Sequence, residues 1–408
     1  MKLIYTISII AYGLIIKFAS LFNKKAQLFV QGRKDLLKRI EDTLKLENRP
    51  IAWFHFASLG EFEQGRPVLE KLKIERPDLA IFMTFFSPSG YEIRKDYTEA
   101  DYIFYLPLDT PANAKRFIAI IKPQLVFFTK YEYWYYYFSE LKKRSTPLYM
   151  VSAIFREQQI FFKWYGRFNR IILTCVTHFF VQDEDSGNLL SKIGLNNWTI
   201  TGDTRFDRVY ENSLHPKRFP SVESFITNNQ IFIAGSTWPK DDELLIELIK
   251  KKSKDWKFII APHEIKEEKI LHLINETQGI RYSELAIHPE LSKANVLIVD
   301  NIGMLSSLYS YGHIAYIGGG FSKSGIHNTI EAAVFGMPVL FGPNYQKFKE
   351  AEDLITIQAA FSIKTAQDLE KVFGALTLTK LQESSKKAAD YVKENTQATE
   401  IIFKKLKD

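Results

Sequence analysis

The sequence predicts an α/β fold of two successive doubly wound, Rossmann-like domains. Three observations carry that reading. From Ile51 short apolar runs alternate with helical patterns; near residues 203–228 the alternation breaks into polar sequence with Pro216 and Pro220; then it restarts. A chain of 408 residues has room for two cores. Apolar residues at 46% and charged residues at 25% are ordinary for a folded body.

Ahead of the first domain lies Leu3 to Phe22, a hydrophobic stretch of about the 20 residues that a bilayer requires, interrupted by Lys17. Lys24, Lys25, Arg33, Lys34, Lys38 and Arg39 follow it, against Lys2 before it, so the positive-inside rule places the following body on the cytoplasmic side. No clear small-x-small cleavage site follows. The reading is an uncleaved anchor over residues 1–24, spanning the bilayer or lying in its interface. Residues 31–46 read as a basic amphipathic helix with Leu36, Leu37, Ile40 and Leu44 on one face, for packing on the body or for contact with anionic lipid.

The first domain, residues 25–210, is expected to carry strands at Ala52–Phe56, Ala80–Phe86, Tyr102–Leu106, Gln124–Thr129, Pro147–Ser152, His178–Gln182 and Thr199–Gly202. The second, residues 211–408, restarts with Ile231–Ala234, Lys257–Ala261, Val296–Val299, His313–Ile317, Pro338–Phe341 and Ala360–Ile363, and ends in a helical, basic tail from Leu369 to Lys407. Two such domains facing a cleft are the GT-B architecture, which glycosyltransferases share with some epimerases and phosphorylases, so fold alone leaves function open.

Ligands of open α/β sheets gather at the carboxyl ends of strands. After the first strand comes Ser58-Leu59-Gly60-Glu61, where Glu61 on a glycine-flexed turn either takes a proton from an attacking hydroxyl or serves the helix dipole. After the fourth comes Lys130-Tyr131-Glu132-Tyr133-Trp134: a Lys130 that binds an anion with Glu132 orienting it, or a packed aromatic edge with two snorkelling charges. Gly235-Ser236-Thr237 precedes an acidic helix and suits phosphate or a local hydroxyl turn. Ala261-Pro262-His263-Glu264 ends the next strand. The longest patterned stretch is His313 to Pro343. It reads as a buried strand, then Gly318-Gly319-Gly320, a polar loop through Gly325, and Asn328 as N-cap of a helix from Thr329 to Phe335 with Gly336 beyond its end. Free amides at such a helix start hold an anion. His327 is a phosphate donor or a loop histidine. Glu331 closes a capping box with Asn328 or accepts bonds from a ribose diol.

A net charge of +7 fits a partner with phosphates, and aromatics at 14% reflect either codon bias or a membrane interface. The lone Cys175 rules out an intramolecular disulfide and a cysteine-only metal site, and reads as a core residue. No His/Cys/Asp cluster has metal spacing, no Walker A motif is present, and the dispersed basic residues do not suggest nucleic acid.

Together these motifs resemble the bacterial 3-deoxy-D-manno-octulosonic acid (Kdo) transferases of glycosyltransferase family 30, from the anchor to about residue 360. The resemblance rests on Ser58 to Glu61, Glu132 with Trp134, Phe180-Val181-Gln182, Gly202 to Asp207, Gly235-Ser236-Thr237 and, above all, Gly325 to Glu331 running into Phe335 to Pro343. It implies a membrane-anchored GT-B enzyme on the cytoplasmic face of the inner membrane. Such an enzyme moves Kdo from CMP-Kdo to a lipid A precursor in lipopolysaccharide synthesis, with inversion and without a metal or other cofactor. Carried over, Glu61 matches the general base, Gly325, Asn328 and Glu331 the CMP-binding segment, and Ser236 and Thr237 the phosphate-side loop. By their place at strand ends, Ser58, Gly60, Lys130 and Glu132 are the candidates for acceptor or sugar, and His263, Gly319, Gly320 and His327 join the candidates for CMP. The sequence departs from the family at Lys130, where a glutamate is usual, at Pro262, where many members have arginine, and at Trp238-Pro239, in place of His-Glu. The rival reading is another GT-B enzyme using a UDP-sugar, as transferase or 2-epimerase.

Overall fold

The computed structural model describes residues 1–227, 229–252 and 255–407. The chain divides into two compact units: Met1–Asp207 joined by the C-terminal segment from Thr396, and Arg208–Asn395.

In the first unit seven strands form one sheet: β1 (Ile51–Phe56), β2 (Ala80–Phe85), β3 (Tyr102–Tyr105), β4 (Pro123–Thr129), β5 (Leu148–Ala153), β6 (His178–Val181) and β7 (Trp198–Ile200). Their order is β3-β2-β1-β4-β5-β6-β7, and every pair is parallel. Because helices cover both faces, β1 is buried along its whole length, which is why Ile51 to Phe56 reads as a continuous apolar run with no alternation. The strand order reverses between β1 and β4.

The second unit repeats the plan with β8 (Gln230–Thr237), β9 (Trp256–Pro262), β10 (Ile280–Arg281), β11 (Val296–Ile298), β12 (Ile314–Ile317), β13 (Val339–Phe341) and β14 (Ala360–Ser362). Its order is β10-β11-β9-β8-β12-β13-β14, again all parallel, with the reversal between β8 and β12. The two-residue strand β10 has no counterpart in the expected set, being too short to leave a hydrophobic period.

Several expectations are corrected. The C-terminal tail is not wholly part of the second unit. Its last helix, Ala398–Lys407, packs Ile402 and Phe403 into the first unit's core beside Phe54, Phe56, Leu72 and Phe180. Asp207 fastens the start of that helix, accepting from Gln397 N–H, Thr399 N–H and the Thr399 hydroxyl. The expected linker at 203–228 is mostly helical, Arg205–Leu214 and Pro220–Ile226, because Phe206, Val209, Val222 and Phe225 are buried; Asn228 lies outside the described residues. The single helix expected at 31–46 is two. Lys24–Gly32 ends before Asp35, whose φ of 50° breaks the path, and Leu36–Thr43 follows with Leu36 and Ile40 buried.

Lys2–Ala19 is one helix, long and apolar enough to cross a membrane, with none of its residues buried. Tyr5, Thr6 and Tyr12 touch the first unit: the Tyr5 hydroxyl donates to Asp109 at 2.5 Å, Thr6 and Tyr136 share a hydrogen bond, and Tyr12 stacks on Phe86. Leu3, Ile4, Ile7, Ile10, Leu14, Ile15 and Phe18 are exposed. Exposed apolar side chains on this scale mark a surface meant to be covered.

Candidate functional site

Each unit gathers its chemistry where its strand order reverses, at the carboxyl ends of the strands, the crevice position that open α/β sheets reserve for ligands.

In the first unit β1 leads through Ser58 into the helix Leu59–Glu75. Glu61 is in its first turn, and the Ser58 hydroxyl donates to the Glu61 carboxylate, which orients it. Gly60 does not flex a turn. It lies inside the helix, and a Cβ there would meet only Ser58 Oγ at 3.8 Å, so the position needs no glycine freedom.

β4 ends at Thr129, and Lys130 turns the chain sharply with φ 63°, while its N–H still bonds Val151 O at 3.0 Å. A left-handed lysine costs free energy and persists only where its surroundings demand it. Its Nζ lies 5.4 Å from the Tyr131 ring centre. Glu132 has a different set of partners from the one its spacing suggested. Its carboxylate accepts from Trp134 Nε1 at 2.7 Å and meets His55 Nε2 at 3.3 Å. His55 is fully buried on β1, with Nδ1 2.8 Å from Thr84 Oγ1 on β2. Trp134 and His55, the latter itself held by Thr84, thus fix Glu132 in place.

Asp203, 6% exposed, ties this end of the sheet together. It accepts from Gln64 at 2.9 Å, Gln182 at 3.3 Å and the Arg205 side chain at 2.9 Å. Burial works to raise its carboxyl, but Arg205 and Lys130 outweigh it and hold the group below the ordinary range. Burial raises the Tyr131 phenol, with Arg156 and Arg205 opposing and Glu61 and Asp203 assisting, so these five groups share one electrostatic neighbourhood. Arg156, Asp203, Arg205 and His55 were not singled out as site residues from sequence. Asp203 and Arg205 lay within the quoted Gly202–Asp207 run, which was a signal; His55 and Arg156 gave none.

In the second unit Gly235-Ser236-Thr237 closes β8. Ser236 has φ 54° and is partly exposed, whereas Thr237 is fully buried. The Thr237 carbonyl accepts from His263 N–H at 3.0 Å and Lys269 Nζ at 2.7 Å. After β12 comes the glycine run. A Cβ on Gly318 would come within 2.6 Å of Thr237 Cα, so glycine here lets the ends of β8 and β12 touch. Gly319, at φ 92°, turns its N–H to the Asp241 carboxylate at 2.9 Å. Asp241 also accepts from Trp238 N–H at 2.8 Å and Tyr316 OH at 2.7 Å, and so pins both loops to one carboxylate. Asp242 pairs with Lys269 at 2.9 Å. The acidic helix start therefore faces inward.

Gly320 is buried, and its carbonyl accepts from Asn344 N–H at 2.9 Å. Gly325 is buried at φ 87°. The helix expected at 329–335 is one turn only, Ile330–Ala333, with Thr329 as N-cap residue, so it brings little dipole. Asn328 still binds the helix start, accepting from Ile330 N–H at 3.2 Å, and donates to Glu331 at 2.9 Å. The capping box in which Glu331 would reach the Asn328 backbone is replaced by this side-chain pair. Burial lowers the Arg208 guanidinium and Glu331 opposes that shift, which places these two charges together. His263, His327 and Trp238 form a ring cluster: His263 lies 4.7 Å from Trp238 and 4.5 Å from His327.

Residues 32–208 match the model of the family described as 3-deoxy-D-manno-octulosonic-acid transferase (kdotransferase). The Kdo transferase of Aquifex aeolicus is 27% identical over 82% of this chain and 88% of its own, and that of Haemophilus influenzae 27% over 80% and 79%. Among solved structures, UDP-GlcNAc 2-epimerase from Neisseria meningitidis superimposes with a TM-score of 0.63 at 17% identity, covering 87% of this chain and 99% of its own. MurG from Acinetobacter baumannii does so with 0.53 at 15%, covering 87% and 98%. At those identities the structures speak for fold alone, and the fold is GT-B. The chain thus has the GT-B fold and is similar to the Kdo transferases along most of its length.

Proposed function

We propose that the protein transfers Kdo from CMP-Kdo to a lipid A precursor, with inversion, on the cytoplasmic face of the inner membrane. The observation that supports this reading most is the likeness to named Kdo transferases over four fifths of the chain. Glu61, held by Ser58, removes the proton from a sugar hydroxyl of the acceptor; that oxygen forms a bond to the Kdo anomeric carbon as the bond to CMP breaks. Lys130, Arg156 and Arg205 supply positive charge beside Glu61 for an anionic substrate group. The glycine loop, Ser236, Asn328 and Glu331 hold CMP, whose single phosphate is neutralised without a metal. The exposed apolar helix Lys2–Ala19 and the lysines after it keep the enzyme at an anionic membrane.

The test is transfer itself. Detergent-solubilised protein is incubated with CMP-Kdo, generated in place, and a tetraacylated lipid A precursor, with and without EDTA, beside Glu61→Ala. Lipid products are read by mass spectrometry. A gain of one or more Kdo units, insensitive to EDTA and absent in the variant, is expected. No gain with a competent acceptor, together with thermal protection by UDP and not by CMP, would replace this reading with that of a UDP-sugar enzyme.

A further inference from the structure

Trp238, His263 and His327 come from three separate segments: the turn after β8, the end of β9 and the loop after β12. An indole N–H can only donate. Here its partner is His327 Nε2 at 3.1 Å. That nitrogen must carry the lone pair, so the proton of the imidazole resides on Nδ1. The two rings support this pairing. Their planes differ by 11° with centres 6.5 Å apart, which is two rings meeting edge to edge in one plane. His263 lies across both, tilted 20° from Trp238 and 31° from His327. The Trp238 backbone is fixed in turn by Asp241. The other described hydrogen bond of His327 is its own N–H to Gly318 O at 3.1 Å, so among the described residues Nδ1–H has no protein acceptor.

We propose that Trp238 is a positioning residue that locks His327 as the neutral Nδ1–H tautomer, so that His327 offers an uncharged donor to a phosphate oxygen of the nucleotide. The identity of the ligand rests on the function proposed above; the lock does not. Burial, and then His263, push the His327 pKa down to about 4, in keeping with a ring that stays neutral. The other ionisable groups of this region are His263 on the stacked face, Asp241 on the Trp238 backbone, the Asp242–Lys269 pair at the Thr237 carbonyl, and Glu331 four residues on in the chain, paired with Asn328. A neutral donor fixes the phosphate without placing a second ion in a half-buried site, where an unpaired charge is costly. Ordinary histidine titrates between about pH 5 and 8, and the His327 ring should not change charge in that window.

The experiment uses the full chain in detergent with 15N-labelled histidine, eight residues in all, and long-range proton–nitrogen spectra. His327→Gln assigns the signal. The expected wild-type spectrum shows a protonated Nδ1, an unprotonated Nε2 and no titration across that window. Trp238→Phe keeps a ring but removes the N–H; His327 should then populate both tautomers while burial and His263 still hold it neutral, and CMP affinity at constant pH should fall about twofold, because the donor tautomer is only partly populated. Addition of CMP to wild type should move the Nδ1 signal. An Nε2–H tautomer or ordinary titration in wild type overturns the lock, and this result needs no variant to fold. CMP that binds by calorimetry yet leaves Nδ1 unmoved overturns the donor role. A locked His327 in a protein that binds no CMP supports the lock and overturns the functional reading instead.

Discussion

Asp241 makes a quantitative test of how the second unit's site is built. Its carboxylate is fully buried and accepts three bonds, from Trp238 N–H at 2.8 Å, Gly319 N–H at 2.9 Å and Tyr316 OH at 2.7 Å. Asp241→Ala leaves those three donors without an acceptor in a site closed to water, each costing about 1–3 kcal/mol. Part of that loss is offset, because the buried carboxylate carries its own desolvation cost: burial raises its pKa despite the three donors. The net expectation is a loss of about 3–5 kcal/mol in unfolding free energy. Asp241→Asn keeps the volume but turns an amide N–H₂ toward at least one donor, and should lose about half as much. Urea unfolding of the full chain in detergent measures both, with CMP affinity as the second reading, because the same carboxylate pins Trp238 and Gly319. Destabilisation below about 1 kcal/mol for Asp241→Ala, with CMP affinity unchanged, would refute the reasoning.

Four further outcomes are expected. Glu61→Gln should lower turnover by about 10²–10⁴ while CMP still binds; near-normal turnover would end its role as base. Glu331→Ala removes the partner of Asn328 and should weaken CMP binding in calorimetry with little change in thermal midpoint, whereas the reverse pattern would make it a structural residue. Removal of the helix Lys2–Ala19 should abolish co-sedimentation with anionic vesicles, and retention would show that the basic helices after it suffice. The His327 pKa of about 4 lies below the ordinary 6.5, so the folded state prefers the neutral ring: its contribution to stability is complete above about pH 6.5 and is lost as pH falls toward 4. Acid titration of the thermal midpoint should show this fall, and His327→Gln, which removes the ring, should flatten it.

The strands were legible because β1, β2, β8 and β12 are buried on both faces, and a parallel strand covered by helices leaves a short unbroken apolar run. β10 was illegible because two residues have no period. Helix limits suffered in the same way. Asp35 and the one-turn helix Ile330–Ala333 are decided by contacts, and local propensity alone would run both helices further. Among the candidate site residues, Lys130 was singled out by the strand directly before it, Ser236 by the end of its own strand, and Glu61 and Asn328 by the turns that lead from a strand into a helix. His55 could not be, since a histidine inside an apolar strand declares itself only when Glu132 and Thr84 are brought to its two nitrogens. Asp241 was hidden for a related reason: at a helix start an acid reads as a solvent-exposed partner of the dipole, yet here the glycine loop folds over it.

By itself the sequence determined the class of fold, the repetition of that fold, the apolar N-terminal helix and the strand ends from which chemistry had to come. Those properties are local: burial on two faces, helix period and turn residues are written in neighbouring positions. Only the tertiary structure decided which strands lie side by side, and so where the order reverses, β1 against β4 and β8 against β12. It alone returned the last helix to the first unit, gave Glu132 its partners and set Trp238 against His327. Such pairings join residues far apart in the chain through hydrogen bonds that favour one geometry, and no periodicity within a segment records them.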